Sequence, residues 1–326
     1  MNKYNIGNNI LLQFIACAFL LAFLSIVVPL NYHETRWIIN WENVPEDLRS
    51  NYAKFHCLTV AENGDLWAGN DNGVVHISGQ TWETYSSRVL HHIRDIEVAP
   101  NGEVWVLTER NDVLRFDGQN WQHFSNIYAP YDIAITSDGT VWGVDHTGLF
   151  HFNNGEWEPD KLSIVGMDIK DTLWTIDVAP DDSLWLGGYS AGETKLFHIK
   201  NNEVIFSDAI DIVGGIKKIR VNSLGQLWIY SMGYKSTICT FGYYENGKIH
   251  DLHFPYRFWR NLAEFSYDFA PANQGITWIA THNGLCRFNG YYCINYLQGE
   301  SVYSVAASPD GNIWLGLENQ IVKLGR

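Results

Sequence analysis

An all-β fold, a seven-bladed β-propeller with split-blade closure preceded by one N-terminal transmembrane helix, is predicted from three observations. A unit made of an alternating apolar strand, a turn containing Gly or Asp, and a tryptophan recurs seven times along the 326 residues. Each copy runs on into two more strand-like segments separated by a second tight turn. A strand-like segment also follows an apolar N-terminal run, ahead of any repeat of its own.

The recurring unit reads LTVAENGDLWAG, IEVAPNGEVWVL, IAITSDGTVWGV, IDVAPDDSLWLG, IRVNSLGQLWIY, DFAPANQGITWIA and VAASPDGNIWLG. Its tryptophans are Trp67, Trp105, Trp142, Trp185, Trp228, Trp278 and Trp314, spaced 38, 37, 43, 43, 50 and 36 residues apart. All seven are read as core. Third strands follow as GVVHI, DVLRF, GLFHF, KLFHI or GLCRF, and then turns such as SGQT, DGQN and NNGE. Asn-Gly and Asp-Gly suit tight hairpins because positive φ costs little there. A fourth strand often begins with an aromatic residue, as at Trp82, Trp121 and Trp157. Four short strands in about forty residues make one propeller blade.

The last repeat, Ser301 to Arg326, has room for only three strands. The segment Thr35-Arg36-Trp37-Ile38-Ile39-Asn40-Trp41 resembles the fourth strand Gln80-Thr81-Trp82-Glu83-Thr84-Tyr85 and is expected to complete that blade. Closing the ring removes exposed strand edges, which otherwise template aggregation. The count is seven, with six or eight if one long spacing is misread.

Composition agrees with this fold. Apolar residues make up 46%, charged residues 18% and aromatics 14%. Flat, bulky side chains suit half-buried pleated surfaces. The net charge of −14, without a Lys/Arg stripe, disfavours a phosphate backbone, so no nucleic-acid partner is expected.

Ile10 to Leu30 is an apolar run with only Gln13 and Ser25 clearly polar. As a helix it would span roughly 30 Å of hydrocarbon. It lacks the short core and small-residue cleavage site of a secretory signal, so an uncleaved anchor is expected. Lys3 and the terminal amine precede it, which directs residues 1–9 to the cytoplasm and residues 31–326 outside. The expected partner of the N-terminus is thus the membrane, in a single pass with the propeller extracytoplasmic.

Residues Asp138-Gly139-Thr140-Val141-Trp142-Gly143, Asp310-Gly311-Asn312-Ile313-Trp314-Leu315-Gly316 and Val113-Leu114-Arg115-Phe116-Asp117-Gly118 resemble the two-component regulator propeller repeat. That family carries a D-G-x-[LIV]-W-[LIV]-G core followed by G-[LIV]-x-R-[FY]-[DN]-G. The resemblance covers almost all of residues 35–326 and implies an extracytoplasmic sensor module. The family's usual kinase domains do not accompany the repeats here, so any signal would pass through a second protein.

In a blade, the turns joining strands one to two and three to four share one face. They are short and uniform here, which reads as structural. The other two connections share the opposite face and vary in length, and binding usually resides on variable loops of a rigid scaffold. Ligand-binding candidates there are Glu109, Arg110, Asp145, His146, Tyr189 and Tyr230. Arg257, Trp259, Arg260, His282 and Glu318 complete the set. Asn70, Asp71, Arg88, His91, His92, Arg94, Tyr128 and Tyr131 share the same loops. Trp259, flanked by Arg257 and Arg260, could stack on a sugar or an acidic polymer, or pin its loop. His146 and His282 occupy equivalent places in two blades, but no close-spaced His/carboxylate motif points to a metal. No nucleophile elbow or phosphate loop is present, and neither a catalytic residue nor a cofactor is assigned.

Cys286 and Cys293 flank the turn at Asn289-Gly290 and lie opposite each other if that turn has two residues. A disulfide is then within reach; a longer turn breaks the register. Cys57 and Cys239 read as buried small apolar residues. The function expected is recognition of a glycan, peptide or partner protein without catalysis. The alternatives are a lyase or hydrolase and a non-catalytic protein–protein scaffold.

Overall fold

The computed structural model describes residues 35–39, 53–124, 130–160, 172–190, 193–210, 215–232, 239–245, 247–251, 266–272, 276–289 and 292–325. The apolar run at Ile10 to Leu30 lies outside the described residues, among which no helix is long and apolar enough to cross a membrane.

Seven four-stranded antiparallel sheets form the propeller. Strand β1 (Thr35–Ile39) stands apart in sequence. Blade 1 holds β2 (Phe55–Val60), β3 (Leu66–Asn70), β4 (Gly73–Ser78) and β5 (Thr81–Tyr85). Blade 2 holds β6 (Ile93–Val98), β7 (Val104–Thr108), β8 (Val113–Phe116) and β9 (Trp121–Phe124). Blade 3 holds β10 (Asp132–Ile135), β11 (Val141–Asp145), β12 (Gly148–Asn153) and β13 (Glu156–Pro159). Blade 4 holds β14 (Thr172–Val178), β15 (Leu184–Ser190), β16 (Glu193–Lys200) and β17 (Glu203–Ala209). Blade 5 holds β18 (Gly215–Val221), β19 (Leu227–Met232), β20 (Cys239–Glu245) and β21 (Lys248–Asp251). Blade 6 holds β22 (Ser266–Pro271), β23 (Thr277–Thr281), β24 (Gly284–Phe288) and β25 (Cys293–Tyr296). Blade 7 holds β26 (Val302–Ala307), β27 (Ile313–Leu317) and β28 (Ile321–Gly325), and its fourth strand is β1, paired from Thr35↔Gly325 to Ile39↔Ile321. The expected split blade is therefore the one observed.

Every repeat tryptophan sits on a second strand and faces a third-strand residue. The pairs are Trp67↔His76, Trp105↔Arg115, Trp142↔His151 and Trp185↔His198. Trp228↔Tyr243, Trp278↔Arg287 and Trp314↔Lys323 complete the set. The His, Arg, Lys or, in blade 5, Tyr of the third strand is thus the lid of the tryptophan. His76 and His198 stack at 4.0 and 3.9 Å, and Lys323 lies 5.0 Å from the Trp314 ring. A cation over an indole face is attracted by the ring quadrupole. Six of the seven indoles are buried, but Trp142 is only half-buried. Its partner His151 is tilted at 5.3 Å instead of stacked, so one side of the indole stays open.

The first-to-second-strand turns among the described residues are uniform, as expected. Gly311 has φ 85°, and where the other turns have Gly, blade 4 places Asp182 at φ 60°. Its carboxylate accepts from the Ser137 amide (2.7 Å) and from the Ser137 hydroxyl in the neighbouring turn.

The innermost strands share an irregularity that closes the ring. Register slips between Phe55 and Cys57, Ile93 and Asp95, Leu173 and Thr175, Ile216 and Lys218, Ser266 and Asp268, and Val302 and Ser304. In blade 3 the Tyr131 amide bonds to the Val144 carbonyl, which also faces Asp132, so Tyr131 takes the same place. Each slip is a bulge that sets two residues against one on the partner. The residue after the bulge reaches the next blade, and this happens at every seam. Cys57 Sγ contacts the Ile93 carbonyl (3.9 Å), and the Asp95 carboxyl faces that of Asp132. Thr175 donates to Asp132 (2.7 Å) and accepts from the Ile219 amide (3.3 Å). Lys218 pairs with Asp268, whose other oxygen accepts from the Val305 amide (3.0 Å). Ser304 donates to the Phe55 carbonyl (2.7 Å) and returns the ring to blade 1.

Candidate functional site

The bulged residues themselves are His56, Arg94, Tyr131, Trp174, Lys217, Tyr267 and Tyr303, every one aromatic or basic. They stand where the innermost strands begin, around the axis on the face of the variable loops. Bulges re-aim side chains in this way beside binding sites. The side chain of Tyr267 lies outside the described residues.

Five of the others link into two arcs. In one, the Tyr131 ring lies 6.1 Å from Trp174, and Lys217 Nζ lies 4.9 Å above Trp174. Trp174 is 38% exposed, so an indole face with a cation beside it is presented at the mouth. In the other arc, His56 lies edge-on to Tyr303 at 6.2 Å, and Lys54 Nζ lies 5.1 Å from the Tyr303 ring. Asp71 accepts from His56 Nε2 (3.0 Å) and the Lys54 amide (3.3 Å) and contacts His92 at 3.4 Å. Burial opposes its charge, but these bonds outweigh it and hold the Asp71 carboxyl below its ordinary value. Between the arcs, Arg94 is fixed by Asn111 Oδ1 (2.9 Å) and the Pro130 carbonyl (2.7 Å). A fixed guanidinium and a supported indole are preorganised recognition groups.

The loop candidates divide. Glu109 and Arg110 are exposed, as is Tyr189. His146 is exposed 6.3 Å from Tyr131 and extends the first arc. His282 is exposed and meets Ser301 Oγ at 3.0 Å. No contact joins His146 to His282, and among the described residues no three His, Cys, Asp or Glu converge as a metal site. Asp145 is buried, its carboxylate accepting from the Thr147 amide and hydroxyl at 2.5 Å, so it holds its turn instead of facing a ligand. Tyr230 packs against the Trp228–Phe241–Phe269 cluster. Glu318 pairs with Lys54 through an isolated antiparallel bridge of the backbone. Arg257, Trp259 and Arg260 lie outside the described residues. Cys286 and Cys293 are joined with Cα atoms 5.6 Å apart, although the register sets Phe288 against Cys293 and Cys286 against Asn295. The turn is thus longer than two residues, and the bridge runs diagonally.

Below the mouth the channel is charged, which the loop-based reading missed. Asp95, Glu97, Asp132, Asp177 and Asp268 surround Lys218 and Arg220. Burial, then the charge of Asp132, pushes Asp95 up to about 7. Burial and Asp95 push Glu97 well up as well, and burial raises Asp177. Burial works against the Arg220 charge, but Asp177, Asp132, Asp95 and Asp268 more than offset it.

No family model and no curated protein matches the chain. Solved structures do. The molecule resembles catalytically inactive virginiamycin B lyase from Staphylococcus aureus with quinupristin (TM-score 0.64, 16% identity, 90% of this chain and 99% of that one). It also resembles the extracellular domain of a putative one-component system, BT4673, from B. thetaiotaomicron (TM-score 0.65, 17% identity, 91% of this chain and 40% of that one). A third is PorZ, a surface component of the type-IX secretion system of Porphyromonas gingivalis (TM-score 0.58, 14% identity, 85% of this chain and 46% of that one). At these identities the likeness is one of fold, a seven-bladed propeller found in extracellular sensor-system domains and in a lyase alike.

Proposed function

We propose that the chain is an extracytoplasmic, membrane-tethered recognition propeller. It binds a glycan, peptide or partner protein across the channel mouth and does not turn it over. The observation that carries this reading is the ring of bulged aromatic and basic side chains, with Trp174 exposed beside Lys217 and Arg94 fixed nearby. Flat rings favour sugar faces and extended peptides, and the cations favour acidic substituents on either. The extracellular sensor-system neighbours support the placement outside the cytoplasm. The rival reading, a lyase or hydrolase, draws on the lyase neighbour, whose likeness is in fold. A glycan array and envelope-extract pull-down with the full chain, followed by mass analysis of the ligand, separates the two. Saturable binding lost in Trp174→Ala with the ligand recovered intact supports recognition. A product that accumulates with purified chain overturns it.

A further inference from the structure

The opposite face of the channel has its own site. Below Asp95 the channel forms a well of about 270 Å³. A chamber of about 250 Å³ continues from it towards Asn222 and Ser223. Glu97, Asp177 and Val221 wall both spaces.

The charges around the well do not balance. Lys218 is committed to Asp268. That leaves Arg220 to face Asp95, Glu97, Asp132 and Asp177. Two of these have partners: Asp132 accepts from Thr175 and the Ile176 amide, and Asp177 from the Val221 and Val178 amides. Among the described residues Glu97 accepts no hydrogen bond, and its charged neighbours are Asp95, Arg220, Asp177 and Asp132. Asp95 is 9% exposed, lines the well, and its Oδ2 meets no hydrogen-bond donor. A buried carboxylate without donors is costly, and a cation that supplies them relieves that cost.

We propose that this well binds the ammonium group of an aliphatic amine between Glu97 and Asp177, with Asp95 adding its charge from the wall. An ammonium brings three donors at once. A bare metal ion fits less well, because among the described residues no three carboxylate, His or Cys side chains converge closely enough to ligate one. The wall also offers Leu58, Val60, Ile96 and Phe269, an apolar lining for a methylene stem. The channel already seats one ammonium, that of Lys218, against a carboxylate.

Proton linkage follows from the same geometry. The titratable groups facing Glu97 and Asp95 are Cys57 on β2, Asp132 on β10, Asp177 on β14, Lys218 and Arg220 on β18, and Asp268 on β22. Burial and the charge of Asp132 let Asp95 hold its proton up to a pH of about 7, and burial and Asp95 raise Glu97 in the same direction. An incoming ammonium displaces those protons, so affinity rises as pH rises towards about 8.

The test is calorimetric titration of the full chain with cadaverine and with Nα-acetyl-lysine amide. The neutral 1,5-pentanediol and calcium chloride serve as comparisons. The expected result is saturable binding of an ammonium compound, none of the diol, and tightening from pH of about 6 to about 8. Cadaverine alone binding points to a free amine; the lysine amide binding as well points to a lysine side chain. Both outcomes support the ammonium site. Glu97→Gln, isosteric and at a carboxylate with no hydrogen bond to lose, should weaken binding about ten-fold or more with its unfolding midpoint kept. No saturable amine binding, an unchanged affinity in folded Glu97→Gln, or calcium displacing the amine at lower concentration would each overturn the proposal. None of these residues belongs to the recognition ring, so failure here leaves that reading standing, and the reverse holds too.

Discussion

The seam between blades 2 and 3 should make the propeller pH-sensitive. Six seams are closed by a donor meeting an acceptor, but this one sets Asp95 against Asp132. Two carboxyl groups hydrogen-bond only through a shared proton; without it Asp95 Oδ2 is buried with no donor. Burial first, and then the charge of Asp132, let the folded chain hold a proton on Asp95 up to a pH of about 7, against an ordinary value of 3.8. The folded state therefore binds the proton more tightly than the unfolded state. The stability it contributes is fully present below the ordinary value and is lost as pH rises through about 7. A difference of about three units corresponds to at most about 4 kcal/mol. Asp95→Asn replaces the shared proton with a permanent amide donor. Urea unfolding of both chains between pH of about 5 and about 9 measures the effect. Wild type should lose stability across that range. Asp95→Asn should be flatter and about 1–3 kcal/mol more stable than wild type at the alkaline end. Glu97 and Asp177, raised mainly by burial, keep part of the slope in both. The reasoning is refuted if the two chains show the same pH dependence, or if Asp95→Asn is the less stable at high pH.

Two further substitutions probe closure of the ring. A Cβ on Gly316 would collide with Ser304 Oγ and lie 2.7 Å from the Phe55 carbonyl oxygen. Gly316→Ala should therefore open the seam between blades 7 and 1 and cost about 2–4 kcal/mol, read by thermal unfolding. Gly311→Ala, whose Cβ meets nothing, should cost only the left-handed backbone strain of about 1–2 kcal/mol. Deleting residues 35–39 removes β1 and uncovers the edge of β28. The deletion variant should melt earlier and aggregate on sizing columns, and one that melts like the full chain would count against closure by β1.

The blades were legible in the sequence because their signals are local. Turn residues such as Asp310-Gly311, period-two alternation and a tryptophan at a fixed offset all report on neighbours within ten residues. Closure by Thr35 to Ile39 was legible too, because a missing fourth strand at one end matched a spare one at the other. The mouth of the channel was not. The repeated unit starts at Leu58, Ile96 and Ile219, just past the bulge, because the bulge breaks the alternation that defines a strand by pattern. Apolar residues there are three apart, as in Ile93/Ile96, Leu173/Ile176, Ile216/Ile219 and Val302/Val305, with a large residue and a small polar one or Lys between them. That spacing was the available signal. Charge was hidden for another reason: Asp95, Glu97, Asp177 and Arg220 are far apart in sequence, and only ring closure brings them together. Asp145 misled because a buried turn-holding carboxylate and an exposed loop carboxylate look alike in sequence.

The bulge also divides labour between adjacent residues, and that division can be tested at one dipeptide. Trp174 stands on the mouth, 38% exposed, in contact with Lys217 and Tyr131. Thr175, next in the chain, is 1% exposed, donates to Asp132 across one seam and accepts from the Ile219 amide across the next. If the first residue serves recognition and the second serves closure, they should fail in opposite ways. Trp174→Ala should abolish or sharply weaken ligand capture while changing the unfolding free energy by less than about 1 kcal/mol. Thr175→Val keeps the shape but removes the hydroxyl, stranding the Ile219 amide and leaving Asp132 Oδ2 with the Ile176 amide alone. It should cost about 1–3 kcal/mol, with binding by the surviving folded chain retained. Were Trp174→Ala to unfold the propeller, or Thr175→Val to leave it untouched, the bulge would be a packing irregularity and not a device that frees the mouth to vary while the ring stays shut.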